Sequence, residues 1–300
     1  MTEKRTRTRI FWAFAAIYLI WGSTYLAIRV AIETMPPFLM AGGRFLIAGT
    51  ALYVFARLRG AARPQLRQWL PTAVLGATLL LCGNGGVVWA EQRVPSGPAA
   101  LMIGATPLWF ILLDWIRPGG QRPAGRAVAG VLIGFVGIAV LINPTSGAEM
   151  IDPVGAVVLV LAALSWAIGS LYGRSAALPA SPLVGTGMEM LAGRGGVTPP
   201  LLGTLTGEWG RLSLEGISAA SLWGLAYLIV FGAWVGFGAY TWLIRVAPIS
   251  LVSTYAYVNP VVAVVLGFMI AGEPLTWRTA SAAAIIVGSV ALTTTARRGA

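Results

Sequence analysis

The sequence predicts an all-α integral membrane protein, with ten transmembrane helices arranged as two inverted five-helix repeats. Three observations carry that expectation. The first is composition: 57% of the 300 residues are hydrophobic and only 10% are charged, where a soluble domain carries about 25% charged residues. The second is a series of apolar runs, most of them near the ~20 residues needed to cross hydrocarbon. The third is duplication. Trp21 and Pro37 recur 145 positions later as Trp166 and Pro182, and Trp89, Pro95 and Pro107 recur 153 positions later as Trp242, Pro248 and Pro260. Five spans per copy is an odd number, so the two copies cross the membrane in opposite directions. Inverted repeats of this kind place a transport site between the halves, near the bilayer midplane.

The predicted spans, in order, are Ile10–Val30, Phe38–Leu58, Trp69–Ala90, Gly97–Ile116, Ala124–Ile142, Pro153–Tyr172, Pro182–Leu205, Ala219–Leu243, Ile249–Ala271 and Thr276–Thr294. The repeats divide at 1–148 and 149–300 and form one integrated transport domain. The first run continues to Tyr25 without a small-residue cleavage site, so it is read as a retained span and not a signal peptide. Connections are short and rich in Pro and Gly, as at Pro95-Ser96-Gly97-Pro98. The 38 glycines suit close helix approach in lipid, where small residues let backbones touch.

Lys and Arg set the expected orientation through the positive-inside bias. With the N-terminus in the cytoplasm, inner segments hold Lys4, Arg5, Arg7, Arg9, Arg57, Arg59, Arg63, Arg67, Arg117, Arg122, Arg126, Arg174, Arg245, Arg297 and Arg298. Outer segments hold Arg29, Arg93, Arg211 and Arg278. Both termini are then cytoplasmic. The net charge of +11 is thus a loop pattern and does not point to nucleic acid.

Composition also removes chemistries. Histidine is absent and cysteine occurs once, at Cys82 in an apolar run, where it reads as a small buried hydrophobe. No metal or cofactor is expected, and no Walker-type phosphate loop links the chain to ATP. The chain is not expected to be an enzyme: it lacks a histidine base, a paired-carboxylate motif and metal-ligand spacing.

Candidate site residues fall into three groups. Ionisable residues within spans are functional candidates because their burial in lipid is costly. Arg44 and Glu189, repeat mates 145 apart, form a possible proton or charge site, with Arg194 close to Glu189. Asp114, beside Arg117, reads as an interfacial pair. Substrate-facing candidates are Asn84 within Cys82-Gly83-Asn84-Gly85-Gly86, Trp21 and Tyr18 on one helix face with Phe14 and Tyr25, Trp166, Trp109, and Tyr257 and Asn259 of the polar cluster that includes Ser253 and Thr254. Pro107 and Pro260, 153 apart, are candidate hinges. Trp69, Trp115, Trp209, Trp223 and Trp277 lie at run ends and read as interface belt.

Several of these residues carry a resemblance. Trp21-Gly22-Ser23, Arg44-Phe45, Thr106-Pro107 and Gly272-Glu273-Pro274, in that order and spacing, resemble the EamA-type transporters of the drug/metabolite transporter superfamily, most of all the YddG-type aromatic amino acid exporters. The resemblance implies a monomeric inner-membrane exporter of amino acids with a central cavity between two pseudo-symmetric halves. One departure stands out: the first-half counterpart of Gly272-Glu273 is Gly120-Gln121, which has no acid.

The expected activity is export of aromatic and other neutral amino acids and related metabolites by alternating access. The site is expected between the first, third, fourth, sixth, eighth and ninth spans. Transport is either facilitative or proton-coupled, with Glu189 as the deep acid. The alternative cargo is cationic drugs, purines or nucleotide-sugar-like metabolites moved by proton antiport.

Overall fold

The structure, a computed structural model, describes residues 3–116, 123–142, 151–192, 198–247, 252 and 254–296. Arg117, Gly120, Gln121, Arg122, Arg194, Pro248, Ser253, Arg297 and Arg298 lie outside these residues. The backbones of Arg245 and Tyr257 are described and their side chains are not.

Every regular element among the described residues is a helix. In chain order they are α1 (Glu3–Ala31), α2 (Pro37–Leu58), α3 (Leu66–Leu75), a π-helical segment (Gly76–Gly85), α4 (Gly86–Ala90), α5 (Ser96–Gly104), α6 (Thr106–Ile116), α7 (Gly125–Ile142), α8 (Pro153–Gly173), α9 (Pro182–Met190), α10 (Thr198–Leu205), a short 3₁₀ turn (Glu208–Arg211), α11 (Ala219–Tyr227), a second π-helical segment (Leu228–Gly236), α12 (Phe237–Val246), α13 (Tyr255–Ala271) and α14 (Trp277–Ala296).

Seven continuous helical stretches are long and apolar enough to cross a membrane: Arg7–Ala31, Pro37–Leu58, Leu66–Ala90, Ser96–Ile116, Gly125–Ile142, Pro153–Gly173 and Ala219–Tyr240. Two more apolar stretches, Val258–Ala271 and Trp277–Leu292, are shorter. The predicted run Pro182–Leu205 is divided between α9 and α10. Helix starts follow local chemistry. Pro37, Pro153 and Pro182 open α2, α8 and α9, where a missing N–H costs nothing. Asp152 caps α8 by accepting from Gly155 N at 2.9 Å.

Packing follows the duplication. Helix α1 packs on α13, and its repeat mate α8 packs on α5 and α6; α1 packs on α11 and the second π segment, and α8 on the first; α2 meets α9, and α7 meets α14. Small residues set the last contact. A Cβ on Gly134 would meet Ser289 Oγ at 2.7 Å, and one on Gly137 would meet Ile286 Cγ1 at 2.8 Å. The outer faces are apolar where water would penalise them: Leu132, Val136, Val157 and Leu161 are all exposed, as a hydrocarbon surround allows. Cys82 corrects one expectation. It is exposed, because its apolar run faces outward at that position. The run-end tryptophans Trp115, Trp209, Trp223 and Trp277 are exposed, as belt residues are.

Side-chain bonds gather the acidic turns at one end of the bundle. Arg29 Nη1 donates to the Glu91 carbonyl at 2.6 Å, Arg93 pairs with Asp152 at 3.6 Å, and Thr34 Oγ1 donates to Ser221 Oγ at 2.8 Å. Glu33, Glu208, Glu215 and Glu273 occupy turns at this same end, hereafter the carboxylate end. The Arg59–Arg67 turn marks the opposite, basic end.

Candidate functional site: a cavity between the repeats

A cavity opens where the two halves meet. Trp21, Tyr25 and Ile28 of α1 line it, with Arg44 of α2, Asn84 and Val87 of the third span, Ile103 and Thr106 of the fourth, Trp166 of α8, Phe237 of α12, and Tyr255 and Asn259 of α13. These are the six expected spans, joined by the second through Arg44.

The third and eighth spans are widened at corresponding places. The π-helical segments Gly76–Gly85 and Leu228–Gly236 start 152 positions apart, close to the repeat offset. Such i→i+5 stretches are rare and collect at functional sites. Asn84 sits at the end of the first and Phe237 directly follows the second, so repeat mates of opposite chemistry face one cavity. The glycines around Asn84 act chiefly through contact. A Cβ on Gly83 would lie 3.1 Å from the Trp166 ring, and one on Gly86 3.1 Å from Ala162 Cβ. They let α8 approach and bring its tryptophan to the site.

The apolar wall is a nest of rings. Trp21 meets Phe237 at 5.4 Å, Tyr240 at 5.0 Å, Tyr255 at 5.4 Å and its own repeat mate Trp166 at 6.2 Å. Its Nε1 donates to Gly232 O at 3.4 Å, inside the second π segment.

The polar wall is unsatisfied. Arg44 is only 2% exposed. Its guanidinium lies 4.7 Å from the Phe45 ring centre, and neither Nε nor Nη1 has a hydrogen-bond partner. Asn84 Oδ1 is likewise buried without a donor. Leaving such groups unpaired costs about 1–3 kcal/mol each, more for a charge, so polar atoms of water or a solute would be favoured against this wall.

Not every predicted residue reaches the cavity. Tyr18 bonds Thr254 Oγ1 at 2.5 Å and packs with Phe14 and Leu243 outside it. Trp109 stacks edge-on against Phe135 at 5.2 Å, also away from the cavity. Glu189 lies in the last turn of α9 and is not among the described lining residues. Asn259 touches the cavity, yet its amide is committed. With the nitrogen placed by its hydrogen bonds, it donates to Ile17 O, Tyr18 O and Tyr255 O at 3.1–3.2 Å, tying α13 to α1.

The two proline kinks meet. Ala105 interrupts the fourth span just before Thr106-Pro107, and Pro260 lies inside α13. A Cβ on Gly104 would come within 2.6 Å of Pro260 Cγ, so the absent side chain is what allows the contact.

Comparison with known proteins decides the family. The sequence profile of the EamA-like transporter family matches residues 8–143 and again residues 153–295. The chain belongs to the EamA-like transporter family. It is 40% identical over 289 residues to the "Uncharacterized inner membrane transporter YedA" of Escherichia coli K12, covering 95% of this chain and 90% of that protein. It is 26% identical over 248 residues to a "Probable amino-acid metabolite efflux pump" of the same organism, covering 78% and 80%. A solved crystal structure shares the fold at TM-score 0.66 and 22% identity, over 97% of this chain and 98% of that one.

In this EamA transporter the Gly272-Glu273 motif has a visible job. Gly272 takes φ +65°, a left-handed turn that glycine adopts without strain, and carries Glu273 back over the start of α5. Its Oε1 accepts from Ser96 N and Oγ at 2.7 Å, and its Oε2 accepts from Gly97 N at 3.0 Å. Gly207-Glu208 does the same at α2. Gly207 has φ +69°, and Glu208 accepts from Phe38 N at 3.2 Å and Leu39 N at 3.0 Å. Carboxylates suit both places because helix N-termini present free N–H groups and a positive dipole end. The Gly-Glu dipeptide at 207–208 was the available signal for this second cap.

Sequence reasoning also passed over Glu91. It follows the third span, is fully buried, and neither of its carboxylate oxygens has a hydrogen-bond partner. Burial first, then the nearby Glu273 charge, holds its carboxyl well above the ordinary carboxylate range; Arg29 opposes the shift. It directly follows an apolar run, and no local motif marks it.

Proposed function

We propose that this transporter exports amino acids, aromatic and other neutral ones, and related metabolites across a bacterial inner membrane by alternating access, as a monomer with both termini in the cytoplasm. The observation that carries the reading is Arg44: a buried guanidinium with free donors on a cavity walled by tryptophans. A guanidinium keeps its charge at neutral pH and matches a carboxylate. Asn84 Oδ1, an acceptor without a donor, suits an ammonium group. Trp21, Trp166, Phe237 and Tyr255 suit an apolar side chain. The name of the efflux-pump relative agrees with this cargo.

The cationic-drug alternative fits less well. Among the described residues no carboxylate lines the cavity, and a buried Arg44 repels a cation. Glu189, the acid expected to serve it, stands off the cavity. The two halves are proposed to rock at the kinks Pro107 and Pro260 around the fixed site.

Counterflow in proteoliposomes tests the reading. A panel of neutral amino acids, purines and quaternary-ammonium drugs is exchanged against labelled phenylalanine. Neutral amino acids are expected to exchange and the drugs not to; exchange of the drugs alone overturns the assignment.

A further inference from the structure

The carboxylate end holds a feature that substrate recognition at the central cavity does not use. Glu91 is enclosed, and its two oxygens meet no donor. An ionised carboxylate in such a place is expensive, and a protein usually removes the cost by leaving the group neutral. The neighbouring groups point the same way. Glu273 spends both oxygens accepting from Ser96 and Gly97, so it acts only as an acceptor. The guanidinium of Arg29 is turned to the backbone carbonyl of Glu91, not to its carboxylate. Arg93 lies over the Trp89 ring at 4.6 Å and pairs with Asp152. Tyr25, one turn before Arg29 on α1, is the other titratable group within electrostatic reach. Glu33 and Arg278, with Arg29, Arg93 and Glu273, line the vestibule at this end. Of two carboxyl groups close enough to act on each other, one is fully hydrogen-bonded as an acceptor and the other has nothing. The second is where a proton resides.

Position gives that proton a role. Glu91 lies five residues before Ser96, at the start of the segment that Glu273 pins across the repeats. Opening the carboxylate end would break the Glu273 cap and admit water to Glu91.

We propose that Glu91 is a proton-binding site of the transporter, occupied when the carboxylate end is closed and emptied when that end opens to water. The proposal rests on the transport reading for its purpose, though not for its first test. The direction follows from linkage. A carboxyl group held above its ordinary range in the closed form favours that form below the ordinary carboxylate range. The contribution is lost as pH rises through the raised value, so alkaline solution favours opening.

Infrared spectroscopy of the purified full chain in lipid nanodiscs tests occupancy without any substrate. At about pH 7, where an ordinary glutamate is ionised, the wild type is expected to show a protonated-carboxyl C=O band. In a Glu189→Gln background, which removes another buried carboxyl group, the band should persist, and adding Glu91→Gln should abolish it. Glu273→Gln removes the neighbouring charge and should move the loss of the band to lower pH, which gives a second reading should Glu91→Gln fold poorly. A wild-type spectrum without the band, or a band that survives Glu91→Gln in the Glu189→Gln background, overturns the proposal. Phenylalanine counterflow then tests the consequence. Its rate should depend on the pH bathing the carboxylate end in the wild type and lose that dependence in Glu91→Gln. A wild-type rate indifferent to that pH removes the coupling. Absence of all counterflow with the infrared band intact would indict the assigned cargo and leave the proton site standing.

Discussion

The two repeats agree in their skeleton and disagree in their cavity. Trp21 and Trp166 are repeat mates and touch each other across the site. The π-helical segments lie at nearly equivalent positions, and the kinks at Pro107 and Pro260 also correspond. Yet Asn84 faces the cavity where its mate is Phe237, and Arg44 faces it where its mate Glu189 does not. Duplication therefore supplies the bundle and its bends, while the cavity lining differs between the halves at positions where the copies have diverged. The capping carboxylates show the same asymmetry. Glu208 and Glu273, both in the second repeat, hold the starts of α2 and α5 in the first. The start of α9, the repeat mate of α2, makes do with its own Ser181.

The sharpest way to break this comparison is at Arg44. Arg44→Gln keeps a polar side chain and removes the charge. A charge-assisted hydrogen bond is worth about 1.5–3 kcal/mol, so apparent affinity for an amino acid should fall roughly 10- to 100-fold, measured as the concentration dependence of counterflow. Arg44→Lys should recover part of it, since an ammonium keeps the charge and loses the planar fork. Asn84→Leu, which makes the cavity resemble its Phe237 side, should weaken exchange by a smaller factor.

Next comes the shared skeleton. Gly104→Ala places a methyl against Pro260 and should cost about 1–3 kcal/mol through overpacking, visible as a lower Tm in detergent. Turnover should slow as well if the kinks must move. Glu273→Gln should cost about 1 kcal/mol, the usual value of a helix cap, and Glu208→Gln no more than that, since it accepts from two donors and not three. An unchanged Tm in both would mean that the caps do not hold the carboxylate end together. The smallest effect is expected at Glu189→Gln. A side chain off the cavity should leave the affinity for amino acids where it was, and a large loss there would return Glu189 to the site.

Much of this architecture was legible in the sequence. Run length and the positions of Trp and Pro pointed to apolar helices and to the correspondence between the two copies, because hydrocarbon thickness and backbone satisfaction leave few other solutions. Trp21, Asn84 and Trp166 were legible as cavity residues from their mid-span positions among small neighbours. Other features were hidden for physical reasons. An apolar run looks the same whether it faces lipid or protein, so Cys82 read as buried and is exposed. The α-to-π change leaves composition untouched, and only the repeated glycines around 83–86 and 232–238 hint at it. Tyr18 and Trp109 share the aromatic character of the nest, but their rotation about the helix axis sends them to Thr254 and Phe135. Glu91 sits at the boundary of a run, where burial is decided by which turns from distant segments close over it.

The central claim is that recognition resides where the repeats differ, above all at Arg44. The most direct measurement compares counterflow of phenylalanine with that of phenethylamine, the same molecule without its carboxylate, in wild type and Arg44→Gln. Wild type should carry the amino acid and discriminate against the amine, and Arg44→Gln should lose that discrimination. Equal transport of both by the wild type, or discrimination that survives in the variant, would contradict it.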